Sequence, residues 1–248
     1  MAERKRRHGK LYLLLMALAA AGAAIWVGSS VLSVEEFAFT GARLPAGWDG
    51  GRLVVLSDLH GKRFGRQHSR LLEAVRKAGP DVICLCGDMM DEWSGTEYLR
   101  PLLEGLAEIA PVYYVTGNHE WAAGVVRELE PLLEQCGVTV LSNEYVMLER
   151  NGDRIALLGA EDSNGYADQK TVQELADQVR QEQGAVYEIL LSHRNNHYEQ
   201  YTQARVDLTL AGHAHGGLIR LPGTDGLVGP KRELFPQYTA GLYDLSYG

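Results

Sequence analysis

The sequence predicts an α/β domain built from two packed β-sheets covered by helices, preceded by one apolar N-terminal helix. Three observations predict it. Between residues 52 and 140, β-prone apolar runs alternate with stretches of helical periodicity. After residue 144 hairpins take over, led by the Arg150-Asn151-Gly152-Asp153 turn. Residues 11–28, LYLLLMALAAAGAAIWVG, carry no charge and follow the basic run AERKRRHGK.

The N-terminal segment comes first. A helix of 18 residues is about 27 Å long, close to the hydrocarbon thickness of a bilayer. Arg4, Lys5, Arg6, Arg7 and Lys10 precede it. By the positive-inside rule they place the N-terminus in the cytoplasm and the following domain outside, with Trp26 at the outer interface. The Ala-rich stretch also offers small-residue cleavage sites, so a removed signal peptide is the alternative. Arg6-Arg7 suggests a twin-arginine signal, but the residues after it fit poorly. A buried helix of a soluble fold would not need the basic cluster. The retained anchor over 1–28 is the favoured reading. Residues 29–50 then form a stalk and lead-in, broken by Pro45, Gly47, Gly50 and Gly51. The main domain covers 51–248.

Within that domain residues 52–57 read as a buried strand. Residues 66–78 read as an amphipathic helix through Leu71, Leu72, Val75 and Ala78, ended by Gly79-Pro80. A strand follows at 81–86. A helix at 96–109 tolerates Pro101 near its first turn. Residues 111–116 give a third strand and 121–136 a helix. Short strands follow at 138–140, 145–149 and 154–159, then a helix at 168–183, then strands at 185–191 and 206–211. Residues 239–244 are expected to supply a last strand.

Composition narrows the function classes. The 248 residues carry a net charge of −8, which argues against nucleic-acid binding by bulk electrostatics. A small anionic substrate stays compatible, because bound metals reverse a local field. Cysteine is scarce. Cys84 and Cys86 are two apart in an apolar strand, so they share a face and read as small buried hydrophobes. Cys136 reads as free and half-buried. Nothing indicates a disulfide-built fold or an obligate protein partner.

Five blocks carry the chemistry: Asp58-Leu59-His60, Gly87 to Asp91, Gly117-Asn118-His119-Glu120, Ser192-His193 and Gly212 to His215. Each follows an apolar run. Five of the eight histidines lie in them, which is far from an even scatter. Taken singly, an Asp or Asn at a strand end is usually a turn or cap residue, and a lone His a hydrogen-bonding group. Taken together, carboxylate, amide and imidazole donors at five strand ends suit a dinuclear hydrolytic site. Asp58 and His60, and likewise His213 and His215, are spaced to face one ion. Asp88 can bridge two ions, and Asn118 adds an oxygen donor without charge. Two ions roughly 3.5–4 Å apart could share Asp88 and a bridging hydroxide. His119, beside Asn118, is surplus to such a shell and free to donate a proton. His8 belongs to the basic tail, His68 opens a helix and His197 lies in a polar loop. Asp91 reads as a cap or as support for the site.

In order, these blocks spell D-x-H, G-D-x-x-D, G-N-H-E, H and G-H-x-H over residues 58–215. In that pattern the chain resembles the calcineurin-like metallophosphoesterase superfamily, and more closely its membrane-anchored bacterial members. The resemblance implies a four-layer α-β-β-α sandwich. It implies one metal on Asp58, His60, Asp88 and His215, a second on Asp88, Asn118, His193 and His213, and His119 near the leaving oxygen. It leaves Mn, Fe and Zn open as the two divalent ions. The implied reaction is hydrolysis of a phosphodiester or phosphomonoester by metal-bound hydroxide. The implied partners are a phosphorylated small molecule or envelope lipid, and the membrane itself, with no nucleic acid. Similar proteins usually continue past Gly241-Leu242-Tyr243 with a further strand pair, where this sequence stops at Gly248. Two other readings compete. A UDP-2,3-diacylglucosamine pyrophosphohydrolase would need an acyl cleft, for which Phe64, Trp93, Tyr98 and Trp121 are candidates. A non-catalytic metal-stabilised scaffold would be favoured by a missing ligand or a missing His119, and neither is missing.

Overall fold

The computed structural model describes residues 8, 10–20, 22, 31–91, 93, 95–166, 169–217, 219–220, 226–229 and 232–245. The chain divides into two units, Met1–Glu36 and Phe37–Gly248. In the first, residues 10–20 are helical and the side chains of Leu11, Leu13, Leu14, Leu15 and Leu18 are exposed. Among the described residues no helix is long and apolar enough to cross a membrane. Residue 21 and residues 23–28 of the expected span, and the basic residues 4–7, lie outside the described residues.

The second unit holds two four-stranded sheets. The first is β1 (Leu53–Leu56), β2 (Val82–Cys86), β3 (Val112–Val115) and β4 (Val138–Val140), in that order and parallel throughout. Its crossovers carry the helices α1 (Ser69–Ala78), α2 (Arg100–Ala107), α3 (Asn118–Ala122) and α4 (Val126–Gln135). The second is β5 (Glu144–Arg150), β6 (Asp153–Gly159), β7 (Tyr187–Arg194) and β8 (Leu208–Gly212). There β5 and β6 form an antiparallel hairpin, and the remaining pairs are parallel. Asn151 and Gly152 both take positive φ, 51° and 85°, as the expected two-residue turn requires.

The sheets face each other across one core. Cys84 and Cys86 point into it with Val115 from the first sheet and Ile155, Leu157, Ile189 and Leu191 from the second. Both cysteines are free, fully buried thiols, and Cys136 is free and buried rather than half-buried. The outer face of the second sheet, through Ala156, Leu158 and Leu190, packs on α5 (Val172–Gln183) and α6 (Tyr198–Ala204). β2 is buried along its whole length. Its alternate residues Ile83 and Leu85 therefore need cover on the face away from the sheet–sheet core, which right-handed crossovers place on the side of α1, α2 and α4.

Several expected elements differ in detail. The helix expected at 66–78 starts at Ser69, because Gln67 and His68 adopt left-handed backbone. The one expected at 121–136 is two helices, separated at Gly124, whose φ is 69°. The helix expected from 168 begins after Thr171, whose side chain and Glu174 form a reciprocal cap. Residues 239–244 form no strand. Instead Tyr243 Oη donates to the Ala240 carbonyl and accepts its amide. A short pair, β9 (Ile219–Arg220) and β10 (Gly226–Val228), was not foreshadowed.

The lead-in contributes to the core. Trp48 is 4% exposed and lies among Leu148, Ile155 and Tyr187. Its indole N–H donates to the Asp153 carbonyl at 3.1 Å. The Gly47 carbonyl accepts from Arg150 and Asn151, so the hairpin end clamps this segment. Trp48→Ala should therefore lower the stability of the chain by about 3–5 kcal/mol, read by urea unfolding. A loss under about 1 kcal/mol would mean that the lead-in is not part of the cooperative core.

Candidate metal centre

The five blocks meet at one place, the carboxyl ends of β1, β2, β3, β7 and β8. Parallel strands from two facing sheets end together there, which is where α/β folds form their crevices. Asp58 and His60 follow β1, Asp88 follows β2, and His213 and His215 follow β8. Asn118 is the first residue of α3. His193 lies within β7, which runs past the expected end at residue 191 through a register shift between Leu191 and Arg194.

The backbone turns sharply to bring these side chains inward. Asp58, His60, Asp88, His213 and His215 all have positive φ, between 44° and 70°. Non-glycine residues there cost of order 1–3 kcal/mol each unless neighbours hold them. Here the neighbours are hydrogen bonds between loops. The amides of Asp58 and His60 donate to the carbonyls of Gly87 and Asp88 at 3.1 and 3.0 Å. The glycines of the blocks allow this closeness. A Cβ on Gly87 would run into the Gly117 backbone, and one on Gly212 into Ser57 and the Asp58 carboxylate.

Each of the two central carboxylates is split in function. Asp58 Oδ2 accepts from the His213 amide at 2.8 Å, and Asp88 Oδ1 from the His119 amide at 2.8 Å. Their other oxygens, Asp58 Oδ1 and Asp88 Oδ2, are buried without any hydrogen-bond partner. Both look onto imidazole nitrogens. Asp58 Oδ1 is 3.7 Å from His215 Nε2 and 4.0 Å from His60 Nε2. Asp88 Oδ2 is 3.6 Å from His60 Nε2 and 3.2 Å from His193 Nε2, so it sits between two histidine sets. His60 Nε2 and His215 Nε2 approach to 3.2 Å.

On the second side His193 Nδ1 lies 2.7 Å from the Cys86 carbonyl. A carbonyl only accepts, so Nδ1 carries the proton and Nε2 presents its lone pair. That lone pair meets Asn118 Oδ1 at 3.0 Å and His213 Nδ1 at 3.1 Å. Three groups of donor atoms result: Asp58, His60 and His215; Asp88, His193 and His213; and His60, Asp88 and His119. Buried lone pairs converging from carboxylate, amide and imidazole repel one another unless a cation lies between them. The donor set fits hard or borderline divalent ions.

The electrostatics agree. Burial disfavours the Asp88 charge, but the His193 ring and the His119 amide outweigh it and hold the carboxyl at about 2. Burial, His193 and Arg194 push His213 down to about 4, so its ring is neutral and able to ligate at neutral pH. Burial also lowers His60. His193 is raised: burial opposes its charge, but Asp88 beside it prevails. A proton and a metal ion therefore compete for the same nitrogen of His193.

One residue was not singled out by sequence reasoning. Glu120 is completely buried. Its Oε2 accepts from the amides of Asp88 and Gly117 at 2.9 and 2.8 Å. Its Oε1 accepts from Met89 and Met90 at 2.8 and 3.2 Å. The signal was an acid at the third position of a helix that starts at Asn118, not at 121. Asp91 caps its own turn, accepting from the Trp93 amide at 2.9 Å. Of the four candidate aromatics for an acyl cleft, Tyr98 spends its hydroxyl on the Met89 carbonyl and Trp121 its indole N–H on Thr116. Trp93 is 88% exposed, and Phe64 lies under Lys62. The cavity beside the site is lined by none of these four, but by Asn195, Asn196, Tyr198 and residues 233–238.

Comparison with known proteins agrees with this chemistry. Residues 51–217 match the model of a family described as Calcineurin-like phosphoesterase. A Danio rerio protein named "Transmembrane protein with metallophosphoesterase domain" is 33% identical over 191 residues, 71% of this chain and 43% of that protein. The Bacillus subtilis metallophosphoesterase YkuE is 26% identical over 230 residues, 90% of this chain and 77% of that one. The Escherichia coli phosphodiesterase YaeI is 27% identical over 198 residues, 77% of this chain and 69% of that one. The match thus spans less than half the length of the fish protein and most of YkuE.

Glu120→Gln tests the hub of the site. An amide offers one acceptor oxygen and turns an NH2 toward two buried N–H donors. The variant should lose about 3 kcal/mol or more of stability and release metal more readily, read by thermal melting and elemental analysis. A melt and metal content equal to the parent would show that the carboxylate is dispensable.

Proposed function

This chain belongs to the calcineurin-like phosphoesterase family, and we propose that it hydrolyses a phosphodiester or phosphomonoester with two divalent ions shared by Asp88. One ion is held by Asp58, His60, Asp88 and His215, the other by Asp88, Asn118, His193 and His213. The observation that supports this most is the pair of buried carboxylate oxygens without partners, Asp58 Oδ1 and Asp88 Oδ2, each turned toward imidazole nitrogens. Mixed oxygen and imidazole donors suit Mn, Fe or Zn. When bound, the two ions supply an activated nucleophile at neutral pH and offset charge on the phosphoryl oxygens.

The chain's own residues do the rest. The Cys86 carbonyl fixes the ring of His193 and aims Nε2 inward. The His213 and His119 amides orient the two carboxylates. His119 is not needed to close either donor set. Its ring packs edge-on against His60, 4.6 Å between centroids, so it stands at the rim of the first set. From there it can donate a proton to the leaving oxygen as the bond to phosphorus breaks. Neither the lipid pyrophosphohydrolase nor the inert scaffold is favoured: the cavity beside the site is lined by none of the four candidate aromatics, and carboxylate and imidazole donors from the blocks come together in groups that could hold a metal ion.

We further propose that residues 11–28 hold the enzyme to the membrane with its catalytic domain outside. The uncharged run after five basic residues supports both the anchor and the outward-facing domain; the name of the Danio rerio relative, a transmembrane protein, supports membrane attachment alone.

His119→Ala should keep both metals and lose rate chiefly on esters with poor leaving groups, by about 10²–10⁴-fold, with a smaller loss on nitrophenyl esters. Equal losses on both, with metals intact, would argue for uniform phosphate binding instead of acid catalysis. Loss of one metal would show that His119 is itself a ligand.

For topology, protease added to intact cells should digest the domain. Complete protection until lysis would place the domain in the cytoplasm.

A further inference from the structure

The metal centre has a neighbour. Asn195, Asn196, Tyr198 and residues 233–238 line an open cavity of about 310 Å³ that shares His213 and Ala214 with the site. Tyr198 and Tyr238 form one wall, their rings edge to face at 4.8 Å. Tyr243 backs Tyr238 at 4.9 Å. Asn195 Nδ2 donates to the Tyr238 carbonyl at 2.7 Å and ties the two segments together. Phe235 is 74% exposed at the mouth, although nothing in the fold core requires an aromatic there. Glu233 is the one charged side chain among the described lining residues other than the imidazole of His213, and none of those described residues is Lys or Arg.

We propose that this cavity is the subsite for a cationic, ammonium-bearing arm of a phosphodiester whose phosphoryl group lies at the adjacent metal centre. The proposal rests on the phosphodiester reading above. Aromatic rings attract cations through their negative faces, and an aromatic pocket closed by one carboxylate is how quaternary ammonium groups are recognised. The same lining is unfavourable for a second phosphate or a carboxylate, which would meet Glu233 and find no basic partner among the described lining residues.

The position also says which arm it is. The leaving oxygen belongs near His119, which stands against His60. The cavity opens beside His213, which belongs to the other donor set. The ammonium arm is therefore the one retained. Water adds its oxygen to phosphorus, the bond to the leaving oxygen breaks with its electron pair, and a proton ends on that oxygen. The product is the phosphomonoester of an amino alcohol.

The test holds the leaving group constant. The full-length chain is assayed on p-nitrophenyl esters of phosphate carrying a choline, an ethyl or a glyceryl second arm. The choline ester should show a KM about tenfold below the ethyl ester at similar kcat. Glu233→Gln and Phe235→Leu should each narrow that gap about three- to tenfold; both residues are exposed, so folding is spared. Equal KM values for choline and ethyl, or the lowest KM for glyceryl, would overturn the proposal. So would an unchanged gap in both variants. Isothermal titration with phosphorylcholine reads the subsite without turnover. Hydrolysis of the ethyl ester with no phosphorylcholine binding would sink the subsite and leave the hydrolase standing. Phosphorylcholine binding that Glu233→Gln abolishes, with no ester hydrolysed, would support the subsite and sink the hydrolase reading.

Discussion

Four backbone N–H groups converge on the Glu120 carboxylate, and the site depends on that convergence. It joins the loop after β2 to the start of α3, so that Asp88 and Asn118 cannot move independently. Burial and the Asp88 charge raise the Glu120 carboxyl above the ordinary carboxylate range, against the downward pull of the donated N–H bonds. Hydrogen bonds to a charged group contribute about 1.5–3 kcal/mol each. Four of them are comparable with the several kcal/mol that burying the charge costs. Protonation would also turn an O–H toward backbone donors. The geometry therefore favours the anion, and it adds a third negative charge to those of Asp58 and Asp88.

That accumulated charge explains how a strained site can persist. Five left-handed residues and converging lone pairs are unfavourable in isolation. Loop-to-loop hydrogen bonds and the Glu120 hub offset part of the cost, and a divalent cation offsets the rest when it binds. Metal affinity and folding stability are then two readings of one free energy. The same logic explains the glycines at 87 and 212: they add no donor, yet any side chain there would force apart the loops that the donors bridge.

How much of this was legible in the sequence follows from the range of the interactions. The strands that lead to each block are local apolar runs, and Asn151-Gly152 is a local turn signal; the turn stands where it was read, and the strands do so apart from shifts at their ends, the largest in β7. The donor residues were visible because their spacing is short and their chemistry unusual. Glu120 was invisible as a hub because three of its four partners come from another loop, some thirty residues earlier in the chain. The break of the helix at Gly124 and the left-handed Gln67 and His68 answer to tertiary packing, which periodicity does not record. The run of β7 through a register shift to Arg194 depends on its pairing with Gly212 of β8. The cavity wall at 233–238 has no periodic signal at all, and its aromatics acquire meaning only through their nearness to His213.

The division of labour within the site follows from the same contrast. The donors sit at the ends of strands whose hydrogen-bonded neighbours fix their position, whereas selectivity is left to loops that can change without disturbing the sheets. The two flanks of the centre differ accordingly. Beyond His60 the loop carries exposed Lys62, Arg63 and Arg66, with Lys62 over the Phe64 ring and Arg63 over Tyr98. Beyond His213 the wall is aromatic and acidic, without a basic residue among the described lining. In a chain of net charge −8 the basic loop is not an average stretch of surface. A phosphoryl group between the flanks meets positive charge on one side and aromatic faces with a carboxylate on the other. On the proposed reading, the contrast between the two flanks is what would distinguish the two arms of a diester.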